Sequence, residues 1–177
     1  VSGSGKIMDC AWDGQNQPFR QYSRQITELV IGEGITATNN GCFAGMDALV
    51  TVSFPSTLTY FASNTFIGSF ADSVTTLTIP ATVTKIGAKR VNGAYKMGDY
   101  PAVTGTAFEA IYIENPHVVF EDATNANTFN SGNISDLTLI VSAGGNNNNV
   151  KTYASNVNCK YLDTTAPGYV NVTDTAN

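Results

Sequence analysis

A short apolar pattern recurs along the chain, and it constrains the fold more than any other feature. Three segments align without gaps, and their central apolar residues, Leu29, Val52 and Leu77, are 23 and 25 residues apart. Phe43 and Phe66 are again 23 residues apart. A period of about 20 to 29 residues is typical of a solenoid with one strand per turn, and it is too short for most helical repeats.

Within each copy the apolar residues alternate with polar ones, which predicts a short strand with one inward face. Proline after two of the copies (Pro55 and Pro80) is expected to end those strands, because it has no N–H for the ladder. The sequence therefore predicts a β-rich solenoid: a single parallel sheet of about five strands, one strand per coil of 23–25 residues, and little helix. The predicted inward pairs are Leu29 and Ile31, Val52 and Phe54, Leu77 and Ile79, Ile111 and Ile113, and Leu139 and Val141.

Residues 74–87 (VTTLTIPATVTKIG) resemble a repeat of the BspA-type leucine-rich repeat family, which reads roughly L-T-x-I-x-I-P-x-x-V-T-x-I-G-x-x-A-F. Residues 26–43 match the same repeat in part. The opening residues 2–8 resemble the short hairpin-like entry of such arrays, and residues 137–142 with Tyr153 resemble the closing repeat and its short helix. The resemblance covers about residues 2–162 and implies a leucine-rich-repeat solenoid.

The repeats suggest how the chain is divided. Residues 1–25 are predicted to be an N-terminal entry or cap, and residues 26–162 the repeat array. A segment at about 88–107 interrupts the period and is interpreted as an insertion, and residues 163–177 have the composition of a tail or linker. The chain opens at Val1 without a signal peptide, so we interpret it as a segment of a longer precursor.

Composition narrows the possible partners. Only 13% of the residues are charged, whereas 42% are hydrophobic, which is enough for a packed core. The 22 threonines and 18 asparagines favour strands and turns over helices. The net charge of -5 gives no electrostatic reason to bind nucleic acid or an anionic membrane. No apolar run reaches the roughly 18 residues of a membrane span.

The residues give no case for a catalytic site, a cofactor or a metal centre. His117 is the single histidine, and no nucleophile motif accompanies it. The three cysteines (Cys10, Cys42 and Cys159) form no CxxC pair, so a zinc site is not expected, and at most one disulfide can form. Glu121 and Asp122 begin a run of oxygen ligands, but it departs from the EF-hand order and is typical of turns.

Two surfaces remain as candidate ligand-binding sites. The first is the outward side of the predicted strands, which carries hydroxyls, one tyrosine and almost no charge; its candidate residues are Thr51, Ser53, Thr76, Thr78, Tyr112 and Thr138. The second is a basic, tyrosine-containing part of the interrupting segment, with Lys89, Arg90, Tyr95, Lys96 and Tyr100. In both cases the simpler interpretation stays open: threonine suits any exposed β-surface, and a surface loop tolerates insertion.

The resemblance implies a functional class. Arrays of this type are found in secreted or cell-surface proteins of host-associated bacteria and some protists, and several are implicated in adhesion. We therefore expect a non-catalytic extracellular or cell-surface module that binds a host or cell-surface protein or a glycan. One alternative is a structural spacer that displays another domain of the precursor. Another is a glycan-active or metal-dependent enzyme that uses acids such as Glu121 and Asp122.

Overall fold

The computed structural model describes residues 1–11, 14–87, 102–104, 107–124, 128–130, 133–142 and 148–165. A 3₁₀ helix (Arg20–Gln25) follows the first strand, and helix α1 (Asn149–Val157) precedes the last. Every strand pairing in these ranges is parallel. The strands are β1 (Gly5–Lys6), β2 (Glu28–Val30), β3 (Ile35–Ala37), β4 (Thr51–Ser53), β5 (Tyr60–Phe61), β6 (Thr76–Ile79), β7 (Lys85–Ile86), β8 (Val103–Thr104), β9 (Ala110–Ile113), β10 (Val119–Phe120), β11 (Phe129–Asn130), β12 (Thr138–Val141) and β13 (Lys160–Asp163).

The five strands predicted from the alternating pattern are present as β2, β4, β6, β9 and β12. Leu77 lies opposite Ile111, and Ile111 lies opposite Leu139, so the same inward position is in register on three adjacent strands. All three side chains are buried. Of the predicted inward residues, Val52 and Phe54 are only half-buried, although both pack against the core.

The prediction of a single sheet is wrong. Strands β2 and β4 form a two-stranded sheet, whereas β6, β9, β12 and β13 form a separate four-stranded sheet. Strands β4 and β6 do not pair, and the coils that contain them are joined by hydrogen bonds between turns. The N–H groups of Phe70 and Ala71 donate to the carbonyl oxygens of Met46 and Leu49, at 3.0 and 2.9 Å. The coils therefore remain connected by hydrogen bonds where the strands themselves do not pair.

Each coil also has a second short strand, and these strands form a sheet in the order β1-β3-β5-β7-β10, called here the five-stranded sheet. Its inward residues, Ile35, Phe61, Ile86 and Phe120, are buried. Because β1 pairs in parallel with β3, the entry segment is not the hairpin that the resemblance implied. The chain enters by adding one more strand to the edge of this sheet.

A third set of parallel pairings lies outside the sheets described above. Strand β8 pairs with β11, and Phe66 forms a single bridge with Val103. Ala102 and Val103, which fall at the end of the predicted insertion, are buried in the core. Phe43 and Phe66 are fully buried, and their rings stack with centroids 5.3 Å apart. The aromatic positions of successive coils thus pack directly on one another.

Helix α1 lies where the resemblance implied a short closing helix. Asn148 caps it, since its side-chain oxygen accepts from the N–H of Lys151 at 2.6 Å. Tyr153 is fully buried, and its ring stacks on Phe120 at 4.1 Å between centroids. The chain then forms β13 at the edge of the four-stranded sheet. The buried apolar residues from Cys10 to Val157 make one continuous core cluster.

Candidate binding face

The outward side chains of β6, β9 and β12 form a surface that we call the outer face, defined as Thr76, Thr78, Ala110, Tyr112, Thr138 and Ile140. Strand register arranges them in two rows. Ala110 lies between Thr76 and Thr138 in one row, and Tyr112 lies between Thr78 and Ile140 in the other. The alternation that buries Leu77, Ile111 and Leu139 is what turns these side chains outward.

The structure brings four of the six predicted sheet residues onto this face: Thr76, Thr78, Tyr112 and Thr138. Thr76, Thr78 and Tyr112 are exposed, whereas Thr138 is half-buried. The other two, Thr51 and Ser53, are also exposed, but they belong to the two-stranded sheet, in register with Glu28 and Val30.

Threonine hydroxyls have different roles on the two main sheets. In the five-stranded sheet and the turns before it they bind to the neighbouring coil: Thr59 donates to the carbonyl oxygen of Thr36 at 3.1 Å, and Thr84 to that of Thr59 at 3.2 Å. Thr57 likewise donates to the carbonyl oxygen of Ile35 at 2.8 Å. These hydroxyls therefore stabilise coil stacking.

On the outward strand surface the hydroxyls are not used in this way. Within the described ranges, no intramolecular side-chain hydrogen bond involves the hydroxyls of this set: Thr51, Ser53, Thr76, Thr78, Tyr112 and Thr138. Within the described part of the chain, these hydroxyls are therefore not used by the fold. The difference follows from register, because a hydroxyl is used internally only where a carbonyl of the adjacent coil lies within reach.

The outer face carries no charge. Its six residues are all neutral, although the chain has 14 acidic and 9 basic residues. In the same sheet, exposed Lys160 on the edge strand β13 lies opposite Thr138. The Lys160 ammonium donates to the carbonyl oxygen of Asp136 at 3.4 Å. A ligand on this face would therefore meet hydroxyls, an aromatic ring and aliphatic groups, with the Lys160 ammonium at its edge.

The second predicted surface cannot be placed. Its residues, Lys89, Arg90, Tyr95, Lys96 and Tyr100, lie outside the described ranges.

The acids proposed for an enzyme take part in local contacts. The carboxylate of Glu121 pairs with the ammonium of Lys85, with Nζ 2.6 Å from Oε1. Asp122 accepts from both the N–H and the hydroxyl of Thr124, at 3.1 and 2.8 Å, as expected for a turn-forming residue. His117 lies in an exposed turn, and its carbonyl oxygen accepts from the side chain of Asn149. Among the described residues, no group of three or more His, Cys, Asp or Glu side chains is placed to hold a metal ion.

A polar cluster that the sequence did not indicate joins three coils. The Tyr60 hydroxyl donates to the carbonyl oxygen of Gly87 at 2.5 Å and contacts a carboxylate oxygen of Glu121 at 3.3 Å. The Lys85 ammonium lies 5.7 Å from the centre of the Tyr60 ring. Burial, together with the Glu121 carboxylate, raises the pKa of the Tyr60 phenol above its usual value. The cluster thus stabilises the stacking of β5, β7 and β10.

The three cysteines are free thiols. Cys10 and Cys42 are buried and Cys159 is half-buried. Burial raises the pKa of Cys42 to about 12 and that of Cys159 to about 11. Neither thiol is therefore activated as a nucleophile.

Comparison with known proteins supports the resemblance seen in the sequence. Residues 15–97 match the family model described as a BspA type leucine rich repeat region with six copies. No curated protein and no solved structure matches the chain. None of the helices in the described ranges has the length and apolar character needed to cross a membrane.

Proposed function

Residues 15–97 are a BspA-type leucine-rich repeat region, and we propose that the chain is a non-catalytic binding module whose ligand contacts the outer face. Repeat arrays bind through extended surfaces and need no enclosed pocket. The observation that carries the proposal is the set of hydroxyls at Thr76, Thr78 and Thr138 around Tyr112, which have no intramolecular partner among the described residues.

The proposal includes location and partner. We propose a secreted or cell-surface protein that mediates adhesion to a host or cell-surface partner, in keeping with the resemblance to surface arrays. The proposed division of the chain is an entry segment at 1–25, the array at 26–162 with the insertion at about 88–107, and a tail or linker at 163–177. Thr51 and Ser53, which are exposed beside the outer face, are proposed to extend the contact.

A binding screen with matched variants tests this function. The purified chain is screened against immobilised extracellular-matrix proteins and a glycan array, beside a variant with Thr76, Thr78 and Tyr112 all changed to Lys. The control variant carries lysine at Ser4, Tyr22 and Ser155, which are exposed and lie off the outer face. The two variants therefore gain the same charge at different places.

We expect binding to be lost in the outer-face variant and kept in the control. Binding that survives both sets of changes would contradict the outer face as the site and turn attention to the segment from Lys89 to Tyr100. If the chain binds nothing in the screen, the spacer alternative becomes the better account. The enzyme alternative gains no support from Glu121 and Asp122, whose contacts with Lys85 and Thr124 are those of structural residues.

A further inference from the structure

Strand β9 gives the outer face a low point beside an aromatic ring. Ala110 and Tyr112 both face outward on this strand, about 7 Å apart along it. Ala110 contributes one methyl group, whereas its neighbours in the row, Thr76 and Thr138, are larger and carry hydroxyls. Since adjacent strands are about 4.8 Å apart, the two threonines are separated by about 10 Å across this low point.

Three properties of this place limit what can bind there. Tyr112 is 43% exposed, so part of a large aromatic side chain is available for contact. The hydroxyls of Thr76 and Thr138 have no intramolecular partner in the described part of the chain. The six residues of the outer face are neutral, with Lys160 at the edge opposite Thr138, and the chain as a whole has a net charge of -5, which disfavours anionic ligands.

A pyranose ring has the matching chemistry. One side of such a ring presents C–H groups that pack on an aromatic ring, and its rim presents hydroxyls that exchange hydrogen bonds with threonine. Its width is similar to one strand spacing, so it fits over a single alanine between two threonines. An uncharged sugar needs no counter-ion, and the six residues of the outer face supply none.

We propose that the outer face binds a neutral oligosaccharide, with one pyranose ring against Tyr112 and over Ala110, and with sugar hydroxyls bonded to Thr76 and Thr138. This proposal rests on the proposed function and names its ligand class. Because the two rows run across the strands, the glycan chain lies across β6, β9 and β12 rather than along them.

The test uses the full chain and defined sugars. Cello-, manno- and chito-hexaose serve as neutral probes, hyaluronan as the anionic probe, and affinities are measured by titration calorimetry at two salt concentrations. We expect binding of at least one neutral hexaose, no binding of hyaluronan, and little dependence on salt, because no ion pair forms. Hyaluronan binding that weakens with added salt would overturn the proposal.

Variants then locate the sugar. Changing Tyr112→Ala removes the ring and is expected to weaken binding at least tenfold, whereas Tyr112→Phe keeps the ring and should retain most of it. Changing Ala110→Leu fills the low point and should also weaken binding at least tenfold. The control is Tyr22→Ala on the 3₁₀ helix, where the tyrosine is 55% exposed and removal should leave the affinity unchanged.

The hydroxyls are tested by a shape-conserving double change, Thr76→Val with Thr138→Val, which should reduce affinity several-fold without altering the melting temperature. If Tyr112→Ala and Ala110→Leu melt like the unchanged chain and still bind the hexaose fully, the proposed site is wrong. If matrix proteins bind but no neutral sugar does, the glycan proposal fails while the binding function stands. Failure to bind either class would overturn both.

Discussion

Lys85 and Glu121 form an ion pair that joins strand β7 to the end of β10, with Nζ and Oε1 2.6 Å apart. The two partners differ in burial: the side chain of Lys85 is 47% exposed and that of Glu121 only 7%. The same carboxylate contacts the Tyr60 hydroxyl. Glu121 therefore depends on partners from two other coils to compensate for its loss of hydration.

Changing Lys85→Met should leave the Glu121 carboxylate buried without its cation. We expect the free energy of unfolding to fall by about 1–3 kcal/mol, measured by urea denaturation. The control is Arg24→Met, because Arg24 and Asp47 form a longer and exposed pair at 3.7 Å, which should contribute little. Equal losses in the two variants would contradict the structural role assigned to Glu121.

Two glycines with the same backbone conformation should respond differently to alanine. Gly41 and Gly68 have φ of 64° and 60°, so each substitution carries a strain of about 1–2 kcal/mol. At Gly68 an added methyl group meets nothing within 4 Å, whereas at Gly41 it would lie 1.5 Å from the carbonyl oxygen of Ala11. Gly41→Ala should therefore be much more destabilising in thermal melts, and similar losses would argue against this packing of the entry segment.

Adjacent residues on β6 test the strand register. Leu77 is 6% exposed and inward, whereas Thr78 is exposed on the outer face. Leu77→Ala should lower the free energy of unfolding by about 2–5 kcal/mol, because it leaves a cavity in the core. Thr78→Ala should cost less than about 1 kcal/mol. Comparable costs in denaturant titrations would mean that the strand faces the other way.

Stability should fall at alkaline pH. Burial raises the pKa of Cys42 from 9.0 to about 12 and that of Cys159 from 9.0 to about 11. Below about pH 9 the thiols are protonated in both the folded and the unfolded state, so they do not change the free energy of unfolding with pH. Above it the unfolded thiols release protons that the folded ones retain, and unfolding becomes progressively easier up to pH 11–12.

Urea midpoints measured at pH 7, 9 and 10.5 check this expectation, with Cys42→Ala as the comparison. The variant is less stable overall, but its midpoint should fall less between pH 9 and 10.5, because one of the linked thiols is gone. A midpoint that falls equally in both proteins would mean that Cys42 does not contribute to the pH dependence. The Tyr60 phenol, whose pKa is also raised, contributes to both proteins alike.

The sequence could predict the strands that alternate and could not predict those that are too short to do so. Strand β6 contains the inward pair Leu77 and Ile79, and strand β2 contains Leu29 with Ile31 directly after it, so the positions of both strands follow from the alternation. Strand β7 has only two residues, Lys85 and Ile86. A single apolar residue shows no alternation, so the pattern that predicts a strand is absent there. The second sheet was therefore missed, and the prediction placed all pairing in one sheet.

The sequence could predict which residue types lie on the candidate face, but not which of their side chains form hydrogen bonds. Thr59, directly before β5, and Thr78, within β6, are the same residue type. Of the two, only the hydroxyl of Thr59 reaches a carbonyl oxygen of the adjacent coil among the described residues. Glu121 looked like part of a turn because its partner, Lys85, lies 36 residues earlier in the chain. Both distinctions depend on how coils stack, which local sequence does not encode.

The unequal use of threonine hydroxyls on the two sheets has an evolutionary consequence. Changes at Thr59 or Thr84 remove a bond between coils, so drift at these positions is penalised through folding. Changes at Thr76, Thr78 or Thr138 remove no such bond within the described ranges, so folding does not penalise them in this way. One side of the array can therefore change its surface at little cost to folding, while the other side preserves the scaffold.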